Sequence, residues 1–135
     1  MIDAATSPYG VLILRIALGV LFLAHMSVKL FVFKPTGTAQ YFSSLGLPGW
    51  MGPLTIAVEL GGGTFLILGV YTRLVALALI PTMLGTIAFV HGKNGWMFTN
   101  KDGGWEYPAF WAVALLVLSL LGDGAAALIP TPWFF

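Results

Sequence analysis

The feature that most constrains this chain is an apolar run from Val11 to Phe33 that contains a histidine and a lysine. A helix rises ~1.5 Å per residue, so a run of this length can cross a hydrocarbon core of ~30 Å. His25 and Lys29 are four residues apart and therefore stack on one face, one turn from each other. Ionisable groups are costly in lipid unless protein groups meet them. The rest of the chain must supply partners for this face.

The composition indicates an all-α integral membrane protein. Of 135 residues, 59% are hydrophobic and only 8% are charged, whereas soluble domains carry about 25% charged residues. Most of the surface must therefore contact lipid. The net charge of +1 argues against nucleic acid as a partner. The absence of cysteine excludes thiolate nucleophiles, iron–sulfur clusters and cysteine-type zinc sites.

Apolar runs and turn signals predict one domain, residues 1–135, with four transmembrane helices in an antiparallel bundle. The predicted helices cover residues 8–33, 53–69, 72–91 and 107–122. The segment 36–50 is too short and polar to span, so it is predicted as a short interfacial helix or loop between helices 1 and 2. The tail 130–135, rich in proline and aromatic residues, is also expected at the interface.

The topology that follows from four spans puts both termini on one side of the membrane. The first ten residues lack the basic region of a signal peptide, so the first run is predicted to be a retained helix. Lysines and arginines are divided too evenly between the two sides to decide which side faces the cytoplasm.

Each predicted helix brings an ionisable or polar group to the same half of the bundle. At ~1.5 Å per residue, Glu59 and His25 lie at similar depths, about 12 Å from the membrane face that carries the two longer loops. Glu59 could form a buried ion pair with either Lys29 or His25. Arg15 shares the polar stripe of the first helix but lies toward the other membrane face. The candidate ligand-binding residues are His25, Lys29, Glu59, His91, Glu106 and Tyr107.

Simpler roles remain open for three of these residues. Lys29 could extend to the membrane surface, His91 could cap helix carbonyls, and Glu106 could interact with the dipole of the last helix. Gly52, Gly62 and Gly63 leave the Glu59 face of the second helix nearly bare, which predicts close helix packing there.

A series of short motifs runs in order along almost the whole chain. These motifs are Leu14–Gly19, Ala24-His25 with Lys29-Leu30, Gly37–Ala39, Tyr41-Phe42, Leu45–Pro48, Val58–Gly62, Gly69–Arg73, His91 with Asn94-Gly95, and Gly103–Pro108. In this combination the chain resembles the DoxX family, and it departs from the usual pattern at Val58 and at Met26-Ser27. The resemblance implies a small four-helix protein of the bacterial inner membrane, in a family named for a subunit of a thiosulfate:quinone oxidoreductase. Other relatives are linked to quinone or oxidative stress.

The first functional hypothesis is a membrane subunit for quinone-linked oxidoreduction or oxidative-stress protection. His25 and Lys29 would donate to a quinone carbonyl, and Glu59 would relay protons. The chain shows no haem, flavin or metal motif, so electrons would come from an oxidoreductase partner or a bound cofactor. It would then be an accessory or non-catalytic subunit. The predicted walls of the slot are aromatic, namely Trp96, Phe98, Trp105, Tyr107 and Trp111.

The second hypothesis is a non-catalytic membrane module that recruits or stabilises a partner protein, or binds lipid. The polar cluster would then fix the packing register of the helices. A transporter is a third hypothesis, and it would require a homo-oligomer to build a path. The residues alone do not decide among these three.

Overall fold

The fold is all-helical in the computed structural model, which describes residues 1–132. Trp133, Phe134 and Phe135, the aromatic end of the expected interfacial tail, lie outside the described residues. Over the described part there is no strand, and the one β-bridge joins Val70 to Ile129. The helices are α1 (Ser7–Ser27), α2 (Lys34–Ser44), α3 (Met51–Leu68), α4 (Thr72–Thr86) and α5 (Glu106–Leu121).

Two of these helices continue into π-helical turns, in which the backbone bonds from residue i to residue i+5. The first π turn, Val28–Val32, extends α1, and the second, Ile87–His91, extends α4. A short 3₁₀ turn, Gly92–Asn94, follows the second.

Within residues 1–132, three helical stretches are long and apolar enough to cross a membrane. They are Ser7–Val32, Met51–Leu68 and Thr72–Asn94, with mean hydropathies of 2.2, 1.5 and 2.0. The α5 helix is also apolar but has only 16 residues. Many large apolar side chains remain exposed on the helices, including Phe31, Phe110 and Leu120. Such a surface suits lipid and not water.

The core lies where α1, α3, α4 and α5 meet. Phe22, Leu66, Leu79, Leu115 and Leu118 come from these four helices, and each is at most 1% exposed. Each fully buried side chain of this size contributes about 1.5–3 kcal/mol where water is the reference state. In lipid the driving force is close packing instead.

Two adjacent glycines on α3 make contact with two different neighbours. A Cβ built on Gly63 would lie 2.9 Å from the backbone oxygen of Gly19 on α1. A Cβ built on Gly62 would lie 2.7 Å from a methyl carbon of Leu79 on α4. The small residues therefore bring both α1 and α4 close to α3.

The segment between α1 and α3 folds as α2 and docks on the start of α3. A Cβ on Gly52 would lie 2.9 Å from the backbone of both Thr38 and Ala39. Thr38 is 3% exposed, and its hydroxyl donates to the carbonyls of Lys29 and Lys34. Gly52 thus allows α2 to approach α3, and Thr38 ties α2 to the first π turn.

Arg15 joins three distant parts of the chain at the other end of the molecule. Its side chain is fully buried, and its guanidinium donates to the carbonyls of Leu66, Ile67 and Ala125. The first two carbonyls belong to the last turn of α3, which has no intrahelical donors left for them. The segment after α5 returns to the α3–α4 turn, where Ile129 exchanges backbone hydrogen bonds with Gly69 and Tyr71.

Candidate functional site

A cavity of about 720 Å³ opens among the five helices and is lined mostly by apolar side chains. This volume lies in the range of ~300–1,000 Å³ that is usual for small-molecule sites. Five of the six residues predicted to bind a ligand line it, namely His25, Lys29, Glu59, His91 and Tyr107.

Glu106 is not among the residues that line the cavity. One of its carboxylate oxygens accepts a hydrogen bond of 3.1 Å from the backbone N–H of Phe98 in the preceding loop. Adjacent helical residues point about 100° apart. Because Tyr107 lines the cavity, its neighbour Glu106 is directed elsewhere.

Lys29 and Glu59 form an ion pair between the first π turn and α3. The Lys29 ammonium lies 2.7 Å from one carboxylate oxygen of Glu59 and 2.8 Å from the other. The Glu59 side chain is 4% exposed and the Lys29 side chain 25%. The Glu59 carboxylate is therefore almost fully buried behind the Lys29 ammonium, and Lys29 is the member of the pair that a ligand in the cavity can contact. Of the two partners that the sequence left open for Glu59, the structure pairs it with Lys29.

His25 lies beside this pair without a hydrogen-bond partner within residues 1–132. Its ring contacts the edge of Trp111, with ring centroids 4.9 Å apart. Trp111 in turn packs against Phe22 at 4.8 Å. The indole N–H of Trp111 is buried and has no partner among the described residues. The His25 imidazole is thus held in place by packing, while its two nitrogens remain available to a ligand.

His91 and Tyr107 form the other polar group in the cavity. The Nδ1 atom of His91 lies 2.8 Å from the carbonyl oxygen of Gly103, and its Nε2 atom lies 2.6 Å from the Tyr107 hydroxyl. The same carbonyl also accepts from the Asn94 amide at 2.9 Å. His91 is therefore connected to the loop before α5, beyond the capping role that its position at a helix end allows.

Both π turns carry one of these polar residues. Lys29 is the second residue of the first π turn, and His91 is the last residue of the second. Isolated π turns within α-helices are rare and are frequent at functional sites. No feature of the apolar sequence indicated either of them.

Sequence reasoning missed four threonines that line the cavity, Thr38, Thr55, Thr82 and Thr86. A signal existed for Thr55, which is four residues before Glu59 and so shares its helix face. Among the aromatic residues predicted to wall the slot, Tyr107 and Trp111 line the cavity. Trp96, Phe98 and Trp105 do not, and Trp96 packs against Trp105 with ring centroids 4.6 Å apart.

The chemistry available in the cavity is that of polar ligand recognition and proton exchange. It combines one ammonium, one unpartnered imidazole, one buried carboxylate and one phenol bound to a second imidazole. Over the part of the chain that the structure describes, no three His, Asp or Glu side chains are grouped closely enough to hold a metal ion.

Comparison with known proteins finds relatives that match most of this chain. "Putative oxidoreductase CatD" of Bacillus subtilis is 33% identical over 121 residues, which cover 90% of this chain and 85% of that protein. "Inner membrane protein YqjF" of Escherichia coli is 34% identical, covering 86% of each chain. "Inner membrane protein YphA" of Escherichia coli is 36% identical, covering 92% of this chain and 91% of that protein. No solved structure gives a significant match.

The sequence model of the DoxX family matches residues 10–92. This range holds α1 except for its first three residues, all of α2 to α4, both π turns and four of the five polar residues in the cavity. Together with relatives that cover most of the chain, the match confirms the resemblance noted in the sequence: this chain is a membrane protein of the DoxX family.

Proposed function

We propose that this protein binds a quinone-like ligand in the cavity and acts as an accessory membrane subunit in quinone-linked oxidoreduction or oxidative-stress protection. The observation that carries the proposal is the pairing of an apolar volume of about 720 Å³ with an open ammonium and an unpartnered imidazole. A quinone ring has an apolar body and two polar oxygens. It therefore suits an apolar cavity whose wall also carries polar groups that can contact those oxygens.

The residues of the cavity suit such a ligand in distinct ways. An ammonium has three N–H donors, and Lys29 uses two on Glu59, so one remains for a ligand oxygen. His25 offers a second polar contact from the neighbouring turn. Glu59 and His91 are titratable groups that can supply or accept protons. This matters because reduction of a quinone to a hydroquinone takes two electrons and two protons.

The electrons in this proposal come from a partner oxidoreductase. The name of the CatD relative refers to oxidoreductase activity, which favours a redox setting over a purely architectural one. The chain itself supplies the ligand site and the membrane location.

The membrane arrangement that accompanies this proposal has α5 as a fourth span. The 16 residues of α5 cover ~24 Å of helix, and slight local thinning of the bilayer accommodates a short span at modest cost. Residues 1–135 would then form one antiparallel four-helix domain in the inner membrane, with α2 at the interface and both termini on one side. The relatives named as inner membrane proteins support this location.

Purification in a mild detergent, followed by mass spectrometry of bound small molecules, tests the proposal. We expect the wild-type protein to retain a quinone, and Glu59→Gln and His25→Ala to fold but lose it. Quantitative western blots of membranes establish that the variants accumulate normally. A wild-type preparation free of quinones that also fails to bind an added benzoquinone would contradict the proposal.

A second candidate function is a non-catalytic assembly module. The specific observation in its favour is the closed Lys29–Glu59 pair, which alone could serve to fix α1 against α3. In that case Glu59→Gln would reduce accumulation of the protein and of a co-purifying partner, and no quinone would be found in any preparation.

A further inference from the structure

We infer that the cavity is built to hold the hydroquinone form of its ligand in preference to the quinone form. This inference rests on the proposed function and adds the redox state of the ligand. It depends on the direction of each hydrogen bond at the cavity wall, which the backbone partners determine.

The direction is fixed first at His91. A carbonyl oxygen only accepts hydrogen bonds, so the Nδ1 atom of His91, 2.8 Å from the oxygen of Gly103, must carry the proton. In the neutral imidazole the other nitrogen is then an acceptor. The Tyr107 hydroxyl, 2.6 Å from Nε2, therefore donates its proton to His91. What Tyr107 offers to a ligand is the lone pairs of its oxygen.

The hydroxyl protons of the four threonines that line the cavity are likewise already used in hydrogen bonds to backbone carbonyls. Thr55 donates to the carbonyl of Met51 at 2.8 Å, Thr82 to that of Leu79 at 2.6 Å, and Thr86 to that of Thr82 at 2.8 Å. Thr38 donates to carbonyls as well. Each hydroxyl has a single proton, so all four threonines have only acceptor capacity left.

Lys29 is the opposite case, since an ammonium can only donate. His25 and the Tyr41 hydroxyl have no partner among residues 1–132 and can do either. The wall thus presents acceptors at Tyr107 and the threonines, and donors at the Lys29 ammonium and at the indole N–H of Trp111, which has no partner among the described residues. A hydroquinone matches this wall because each O–H both donates and accepts. A quinone has only acceptor oxygens, so its contact with Tyr107 would place lone pairs against lone pairs.

Equilibrium binding to the full-length protein in lipid nanodiscs tests the inference. The probes are a decyl-substituted benzoquinone and the same compound reduced to its hydroquinone and kept under argon, at about pH 8, where an ordinary imidazole is neutral. A lost or repulsive buried hydrogen bond changes affinity by about tenfold or more. We expect the hydroquinone to bind about tenfold more tightly than the quinone.

Two variants separate this mechanism from a general loss of binding. Tyr107→Phe keeps the ring and removes the acceptor, so the hydroquinone affinity should fall by about tenfold, whereas the quinone affinity should not fall because the lone-pair repulsion is removed. His91→Phe releases the Tyr107 proton for donation, so the preference should shrink through tighter quinone binding. Tyr9→Phe is the matched control, because the Tyr9 hydroxyl is exposed and lies outside the cavity, and it should leave the preference unchanged.

The results distinguish the two proposals. Equal affinity for both probes, or tighter quinone binding, overturns the redox-state inference and leaves the proposed function standing. A preference that is undiminished in Tyr107→Phe also overturns it. Failure of both probes to bind the wild-type protein overturns the proposed function.

Discussion

The Lys29 ammonium contacts both carboxylate oxygens of Glu59, at 2.7 and 2.8 Å, and this pair joins the first π turn to α3. The two partners are unequal, because Glu59 is 4% exposed and Lys29 is 25% exposed. Loss of the lysine would leave the negative charge of Glu59 buried away from water. Loss of the glutamate would leave the positive charge of Lys29 exposed to the cavity. The consequences for stability differ accordingly.

Lys29→Met should therefore lower the free energy of unfolding by about 3–5 kcal/mol, because it leaves a buried carboxylate unpaired. Glu59→Leu should have a smaller effect. The double variant should recover most of the loss, since two well-packed apolar residues can replace a buried pair at little cost. Reversible unfolding in mixed micelles measures all three. A double variant whose loss equals the sum of the single losses would rule out the pairing.

Arg15→Met should destabilise the protein by at least about 3 kcal/mol, because it removes charged hydrogen bonds to the carbonyls of Leu66, Ile67 and Ala125. The matched control is Arg73→Met at the α3–α4 turn. Arg73 is half-buried and its side chain makes no hydrogen bond among the described residues, so we expect less than about 1 kcal/mol there. Thermal unfolding in detergent compares the two, and similar shifts in Tm would contradict the assigned role of Arg15.

Gly63→Ala should separate α1 from α3 and cost about 1–3 kcal/mol, since a Cβ there would lie 2.9 Å from the backbone of Gly19. Gly61→Ala is the control two residues away. Among the described residues, no atom outside its own helical turn lies within 4 Å of a Cβ at Gly61, so the higher helix propensity of alanine should stabilise the protein by up to about 1 kcal/mol. Opposite signs in the same unfolding assay are expected, and stabilisation by both substitutions would show that packing at Gly63 is not tight.

His25→Phe should weaken binding of the decyl benzoquinone probes by about tenfold while leaving the unfolding transition nearly unchanged. Phenylalanine keeps a ring against Trp111, and His25 has no hydrogen bond among the described residues that could be lost. His25→Gln, which restores a donor and an acceptor, should recover part of the affinity. Unaltered binding in His25→Phe would remove His25 from the ligand site.

The sequence predicted the polar set because periodicity and depth are linear properties of a helix. The ~1.5 Å rise and ~100° rotation per residue placed His25 and Glu59 at one depth and Lys29 one turn from His25 on the same face, and all three line the cavity in the structure. The same helical geometry could not determine where the Glu106 side chain points. Glu106 and Tyr107 are adjacent residues, and only the loop before α5 decides which of the two faces inward. The sequence associated the glycines with close approach, but which neighbour each one meets, α1 at Gly63 and α4 at Gly62, depends on tertiary packing.

The π turns and the roles of the threonines could not be predicted in this way. A π turn inserts a residue into the helical repeat and changes the phase of every residue after it. The commitment of Thr82 or Thr86 to a backbone carbonyl depends on side-chain rotamers, which composition and periodicity do not specify. The polarity of the cavity wall is therefore visible only in three dimensions.

The hydrogen bonds of Arg15 also have a consequence for biosynthesis. Its partners Leu66 and Ala125 are 51 and 110 residues later in the chain. At ~5–20 residues per second, roughly 5–20 s separate the synthesis of Arg15 from that of Ala125. Until Leu66 and Ile67 are synthesised, the Arg15 guanidinium has none of its native acceptors, and its third acceptor is missing until Ala125 follows. The hydrogen bonds of Arg15 in the first helix are thus completed only late in synthesis. A ribosome that stops before Ala125 releases a protein in which Arg15 lacks one of its three acceptors.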